Sequence, residues 1–228
     1  MADSGSQNLV EFRHGGIKPI RKLEEKLGFP LACSVDPKTG DLAVSNHSNY
    51  EGGSVLIFKQ AHGTPVKVTL PEPFSPWFLG YDGSGNLFID GYNYPTYSVQ
   101  ILKLEPGHKK AVTLTIQGKF HPYAAGGVQW DGKNLAVGDE DAGKIYRLRV
   151  SGSHATVGGI TPLSESEYDA TFTDFSIQGS KIIASLQGGG ASYKGWVRFW
   201  AYPGGGHPLK GLKTPFDEPF GVVVSPGR

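Results

Sequence analysis

One cysteine, Cys33, is all this chain carries, so an internal disulfide is excluded and cysteine usage gives no compartment. No apolar run approaches the roughly 18 residues a membrane helix needs, so a membrane is not an expected partner. The opening Met1-Ala2-Asp3-Ser4-Gly5-Ser6-Gln7 lacks the basic-then-apolar layout of an export signal. That implies a cytoplasmic protein, or an extracytoplasmic one if a signal has been removed. Neither sign of charge prevails, with 22 Lys plus Arg against 21 Asp plus Glu, which disfavours nucleic acid as a partner. Helix-length 3.6 periodicity is missing as well; only Lys22 to Leu27 leans helical, and it is too short to matter. Nucleophile elbows, phosphate loops and dinucleotide fingerprints are absent. The seven histidines show no zinc-type pairing.

Glycine is abundant instead, at 33 residues, and it falls at turns. Asp36-Pro37-Lys38-Thr39-Gly40-Asp41-Leu42 returns as Asp82-Gly83-Ser84-Gly85-Asn86-Leu87, as Asp131-Gly132-Lys133-Asn134-Leu135, and in worn form as Gln178-Gly179-Ser180-Lys181-Ile182. With Gly227, the turn glycines recur at steps of 45, 47, 47 and 48 residues. A repeat of that length, made of short β-branched and aromatic runs between turns, is the mark of a propeller blade.

The expected fold is therefore all-β: one five-bladed β-propeller domain over 1–228, with four-stranded antiparallel blades. The blades fall at 28–71, 72–119, 120–166 and 167–215, and a closing blade is shared by the two termini (216–228 plus 1–27). In that closing blade Phe220 to Val224 is the inner strand, and Leu9 to Phe12 and Ile17 to Glu24 are the outer ones. Closing the ring in this way hides sheet edges that would otherwise invite aggregation. The expected state is a monomer.

Three stretches resemble the blades of NHL-type propellers, a style shared by bacterial NHL-like and lactonase-like proteins. They are Pro30-Leu31-Ala32-Cys33-Ser34-Val35-Asp36, Pro219-Phe220-Gly221-Val222-Val223-Val224-Ser225 and Asp82-Gly83-Ser84-Gly85-Asn86-Leu87-Phe88-Ile89. The resemblance implies architecture and little else, since such propellers include binding modules, lyases and metal-dependent lactonases. Members of that group usually have six or more blades, so five is a departure.

In a four-stranded blade the loops after the second and fourth strands emerge on one face, where a propeller places ligands. Those loops hold Tyr50, Tyr92, Tyr94, Tyr97, Tyr123, Tyr168 and Tyr193, with Trp77 and Phe78 close behind, and His47 and His121. Aromatic faces with polar tips suit a saccharide, a small molecule or a protein segment. The plainer reading of any one of them is a wedge between blades. Asp139-Glu140-Asp141 sets three carboxylates on one loop, which suits holding a divalent cation, an acid–base pair or, more plainly, a solvated turn. Asn46, Asp90 and Asp139 each follow a second strand and form the candidate metal set, for calcium or magnesium at the central channel; lactonase-like propellers draw metal ligands from such points.

The expected function is a non-catalytic binding propeller using Asn46, His47, Tyr50, Trp77, Tyr92, Tyr94, His121, Tyr123, Asp139 and Glu140. The alternatives are a metal-dependent hydrolase or lyase, and a structural module of a larger protein.

Overall fold

Gly40, Gly85, Gly132 and Gly179 have φ values of 76°, 87°, 97° and 58°, the left-handed conformation that a side chain resists. At three of these turns an aspartate completes the geometry. Asp36 Oδ1 accepts the Lys38 N–H, Asp82 Oδ1 those of Ser84 and Asn86, and Asp131 Oδ1 those of Lys133 and Asn134. The repeated motif is thus a hairpin device whose carboxylates are consumed by their own turns.

The computed structural model describes all residues except 15, 25–27, 48–51, 95, 165–169, 189–193, 213–215, 218 and 225–228. The strands form five small sheets, the blades of a five-bladed β-propeller. Sheet one is β1 (Ala2–Asp3), β2 (Asn8–Phe12) and β3 (Pro19–Glu24). Sheet two is β4 (Phe29–Val35), β5 (Leu42–His47), β6 (Ser54–Phe58) and β7 (Val66–Val68). Sheet three is β8 (Phe74–Tyr81), β9 (Leu87–Asn93), β10 (Ser98–Leu104) and β11 (Val112–Thr113).

Sheet four follows β12 (Thr115–Gln117) with β13 (Ala125–Trp130), β14 (Leu135–Asp139), β15 (Lys144–Ser151) and β16 (His154–Pro162). Sheet five is β17 (Ala170–Gln178), β18 (Lys181–Gly188), β19 (Lys194–Ala201) and β20 (Gly205–Gly211), with β21 (Phe216–Asp217) also pairing β19.

Packing groups the chain into two compact units, Met1–Leu114 and Thr115–Pro226. In the first, β5 is buried on both faces from Leu42 to Asn46, beginning with the apolar Leu42-Ala43-Val44. Leu42 and Val44 pack with Leu9 and Phe58, while Ala43 and Val55 pack with Leu79, Leu87, Ile89 and Leu102. In the second, Ala136 and Ile145 meet Phe172, Phe175, Ile182 and Trp200. Each Val, Leu, Ile or Phe among them contributes roughly 1.5–3 kcal/mol over leaving it in water.

Two expectations are revised. The expected single fourth strand of the 72–119 blade divides: β11 pairs β10, and β12 departs to lie parallel along β16. Buried Leu114 marks the break, its N–H bonded to the Ile101 carbonyl, and the next N–H, Thr115, goes to Ser153. Phe220 to Val224, read as an inner strand, is described without strand pairing. It nonetheless lies against sheet five as an inner strand would. A Cβ on Gly195 would fall 2.5 Å from Pro219 Cδ, just as one on Gly53 would fall 2.4 Å from Pro76 Cδ at the start of β8.

Candidate functional site

The four inner strands β4, β8, β13 and β17 share an irregularity. Register shifts occur at Pro30/Ala32, Pro76/Leu79, Gly126/Val128 and Phe172/Asp174, so each carries a bulge near its start. A bulge leaves backbone groups without a ladder partner, and burial makes that expensive. In three sheets a small polar side chain from the second strand answers it. Ser45 Oγ accepts the Ala32 N–H at 3.1 Å, and Asp90 Oδ1 accepts the Phe78 N–H at 2.6 Å. Ser185 Oγ lies 2.8 Å from Thr173 Oγ1 and donates to the Asp174 carbonyl. All three are fully buried.

This register separates the candidate metal set. Asn46 pairs with Pro30 and Asp139 with Ala125, but the residue of β9 that pairs with Pro76 is Gly91, one beyond Asp90. Successive strand residues face opposite sides, so Asp90 is out of phase with the other two. Asp139 is fully buried and committed as well: its Oδ1 accepts the N–H groups of Tyr123, Ala124 and Ala142, and its Oδ2 lies 3.4 Å from Lys144 Nζ. Among the described residues no three His, Cys, Asp or Glu side chains gather as a metal set would.

In the first unit the structure does bring candidates together. The Trp77 ring is met edgewise by His47 at 4.9 Å and by Tyr92 at 5.5 Å. Ser75, absent from the sequence-derived set, locks the group: its Oγ is 3.0 Å from His47 Nδ1, and it shares a side-chain hydrogen bond with Tyr94. Burial, and then Tyr97 4.8 Å away, raise the Tyr94 phenol above its ordinary pKa, with the Ser75 bond opposing them.

Asn46 is 4% exposed, yet neither its amide oxygen nor its nitrogen has a hydrogen-bond partner among the described residues. The Trp77 indole N–H is in the same condition. Gly53 lets β6 pass close to the start of β8, since a Cβ there would be 2.3 Å from the Asn46 backbone carbonyl oxygen and 2.4 Å from Pro76 Cδ. It also lines a cleft of about 380 Å³ with Gly52, Pro71, Glu72 and Phe74.

In the second unit Tyr123 is 76% exposed, and the Lys144 ammonium lies 5.6 Å from its ring centroid. Burial, helped by Asp141, pushes the Glu140 carboxyl up to about 7. His121 is exposed. Tyr50, Tyr168 and Tyr193 lie outside the described residues.

A second carboxyl that sequence reading passed over is Asp174. It accepts N–H bonds from Phe175 and Val222, and its carboxyl occupies the space a side chain on Gly127 would need. A Cβ on Gly127 would be 2.2 Å from its Oδ1, and one on Gly221 would be 3.4 Å from its Oδ2. Desolvation outweighs both hydrogen bonds and pushes Asp174 up to about 7.

No protein-family model matches the chain, and no curated protein matches it in sequence. Solved structures share its fold. A putative TolB from Agrobacterium tumefaciens is 16% identical, with a TM-score of 0.59 over 91% of this chain and 74% of that one. A Bacteroides caccae protein of unknown function is 9% identical, with a TM-score of 0.55 over 86% of this chain. The chain spans 65% of that protein's length. Myxococcus xanthus glutaminyl cyclase is 10% identical, with a TM-score of 0.51 over 80% of this chain and 69% of that one. At such identities the likeness shows the fold alone.

Proposed function

We propose that this protein is a ligand-binding β-propeller whose site is the His47–Trp77–Tyr92 patch of the first unit. One observation carries the reading: the buried Trp77 indole N–H, without a partner among the described residues, sits in an aromatic group with His47 and Tyr92 that Ser75 fixes. A fold does not leave such atoms idle without reason, because an unpaired buried polar group costs about 1–3 kcal/mol. A bound ligand supplies the missing partners, and the rings supply contact area at low entropic cost.

The rival enzymatic reading draws on glutaminyl cyclase as an enzyme of this fold and on the lactonase-like blade sequences. Against it stand Asp90 and Asp139, whose Oδ1 atoms accept backbone N–H bonds, and the phase difference between Asp90 and its companions. An oligosaccharide and peptide array probed with the wild type and with Trp77→Ala tests the proposal. Binding lost in the variant supports it; binding unchanged by Trp77→Ala rejects this patch as the site.

A further inference from the structure

Two arginines of the second unit are held by the fold and answered by no acid in it. Ile145 packs into the core shared with sheet five, and Arg147 and Arg149 continue the same face of β15 as it comes out to solvent. Arg147 is half-buried and Arg149 exposed. No acidic side chain among the described residues pairs with either one, and the Arg147 Nε is buried without a hydrogen-bond partner. Arg147 acts electrostatically on the Tyr202 phenol, yet the acid there, Asp131, is spent. It accepts the Lys133 and Asn134 N–H groups, the Asn134 side-chain amide and the Tyr202 hydroxyl.

The neighbouring strand is shaped to receive both side chains. β16 carries Gly158-Gly159 in mid-strand, where glycine weakens a sheet and marks a close approach. A Cβ on Gly159 would fall 2.3 Å from Arg147 Nη2, and one on Gly158 would fall 3.3 Å from Arg149 Nε. Both side chains therefore lie along the β16 backbone, with less freedom left to lose when a ligand binds. The bulge here has a second effect. Arg147 pairs with Gly159 but Arg149 pairs with Thr156, so the extra residue turns Thr156, and not Val157, onto the arginine face. Gln117 of β12 pairs in parallel with Thr156 and shares that face, and both are exposed.

Two placed cations flanked by a hydroxyl and an amide call for an anion with several acceptor oxygens. A guanidinium fork matches phosphate oxygens two at a time. Charge selects further: a phosphate monoester carries about −1.5 to −2 at neutral pH and so balances both arginines, whereas a sulfate ester carries a single charge. We infer that Arg147 and Arg149 form a binding site for a phosphate dianion, free or as a monoester, with Thr156 and Gln117 adding hydrogen bonds. The site shares no residue with the aromatic patch of the first unit and does not depend on it.

The test titrates the intact protein calorimetrically with inorganic phosphate, phenyl phosphate and phenyl sulfate at low ionic strength. Three variants are compared, Arg149→Gln, Gly159→Ala and Arg147→Met, each also followed by thermal unfolding. At least one phosphate probe should bind saturably, more tightly than phenyl sulfate, and more weakly as sodium chloride is raised. Its affinity should fall tenfold or more in Arg149→Gln. Gly159→Ala keeps both charges but displaces the Arg147 guanidinium, so a loss of similar size is expected. Arg147→Met should melt at the wild-type temperature or higher, because it removes a buried donor that the fold leaves unpaired.

Binding of inorganic phosphate alone would identify the free ion as ligand, and binding of phenyl phosphate alone an ester; either upholds the site. Equal affinity for phenyl sulfate would overturn the dianion assignment. Binding unchanged in Arg149→Gln would overturn the site itself. So would a marked fall in melting temperature for Arg147→Met, which would make that guanidinium structural, or the absence of saturable binding by both phosphate probes.

Discussion

Ser75 Oγ lies 3.0 Å from His47 Nδ1, so a hydroxyl on β8 orients an imidazole on β5, one sheet away. The same hydroxyl bonds Tyr94 beyond β9, which makes a fully buried serine the common anchor of two side chains at the patch. In Ser75→Ala both lose it, and the expected loss is about 1 kcal/mol of stability. Ligand affinity should drop more than that figure implies, because the rings are no longer held in place. Urea unfolding alongside calorimetric titration checks both.

Asp90 is a structural carboxylate by its geometry. Asp90→Ala strips the Phe78 N–H of its acceptor inside a fully buried strand, at an expected cost of about 1–3 kcal/mol. Asp90→Asn retains an acceptor oxygen and should cost less. If calcium or magnesium raised the melting temperature of the wild type and not of Asp90→Asn, the metal reading would displace this one.

Asp174 makes stability depend on pH with a definite sign. Its folded pKa, about 7, stands above the 3.8 of an ordinary aspartate, so the native state holds the proton more tightly than the unfolded chain does. That contribution is fully present below about pH 4 and is lost as pH rises toward 7. Asp174→Asn should flatten the decline and melt higher than wild type at pH 8, since Asn keeps an acceptor for the Val222 N–H without the charge. Melting curves at pH 4, 6 and 8 decide it; equal slopes for the two proteins would refute the assignment.

Gly127 and Asp174 should be coupled. Gly127→Ala sets a methyl 2.2 Å from the carboxyl and 3.1 Å from Phe175 Cδ1, so the side chain must move. The expected cost is about 1–3 kcal/mol. In the double variant with Asp174→Gly much of that cost should disappear, giving a coupling energy outside the roughly 0.5 kcal/mol scatter of independent sites.

The beat of the fold was legible because it rests on local chemistry: an aspartate that closes its own turn and a glycine that takes a left-handed φ are visible within six residues. His47, Trp77 and Tyr92 were reachable for a similar reason, since loop position follows from strand order. Ser45, Ser75 and Ser185 were not. A serine declares nothing until its partner on another strand is known, although the recurrence of Ser45, Asp90 and Ser185 three places after Leu42, Leu87 and Ile182 was a usable signal. The same alignment exposes the error in treating Asn46, Asp90 and Asp139 as matching points: a slip of one residue in a strand is a change of face. Asp174 could have been noticed as the one acid where the other inner strands carry Ala32, Phe78 and Gly127. Its elevated pKa depends on enclosure, which no local pattern encodes.

The chain treats its sheet edges in a consistent way. Thr69 bridges Lys110 in parallel as it leaves β7, β12 runs beside β16, and Leu163 bridges Gly206 after β16. Each departing segment therefore acts as a gasket on the next blade's outer rim. A repeat cannot be excised or transplanted cleanly from such a chain, because the cut that frees one blade strips the seal from another. Engineered circular permutants should tolerate new ends in the Asp36–Gly40 type of hairpin far better than in these short connecting spans.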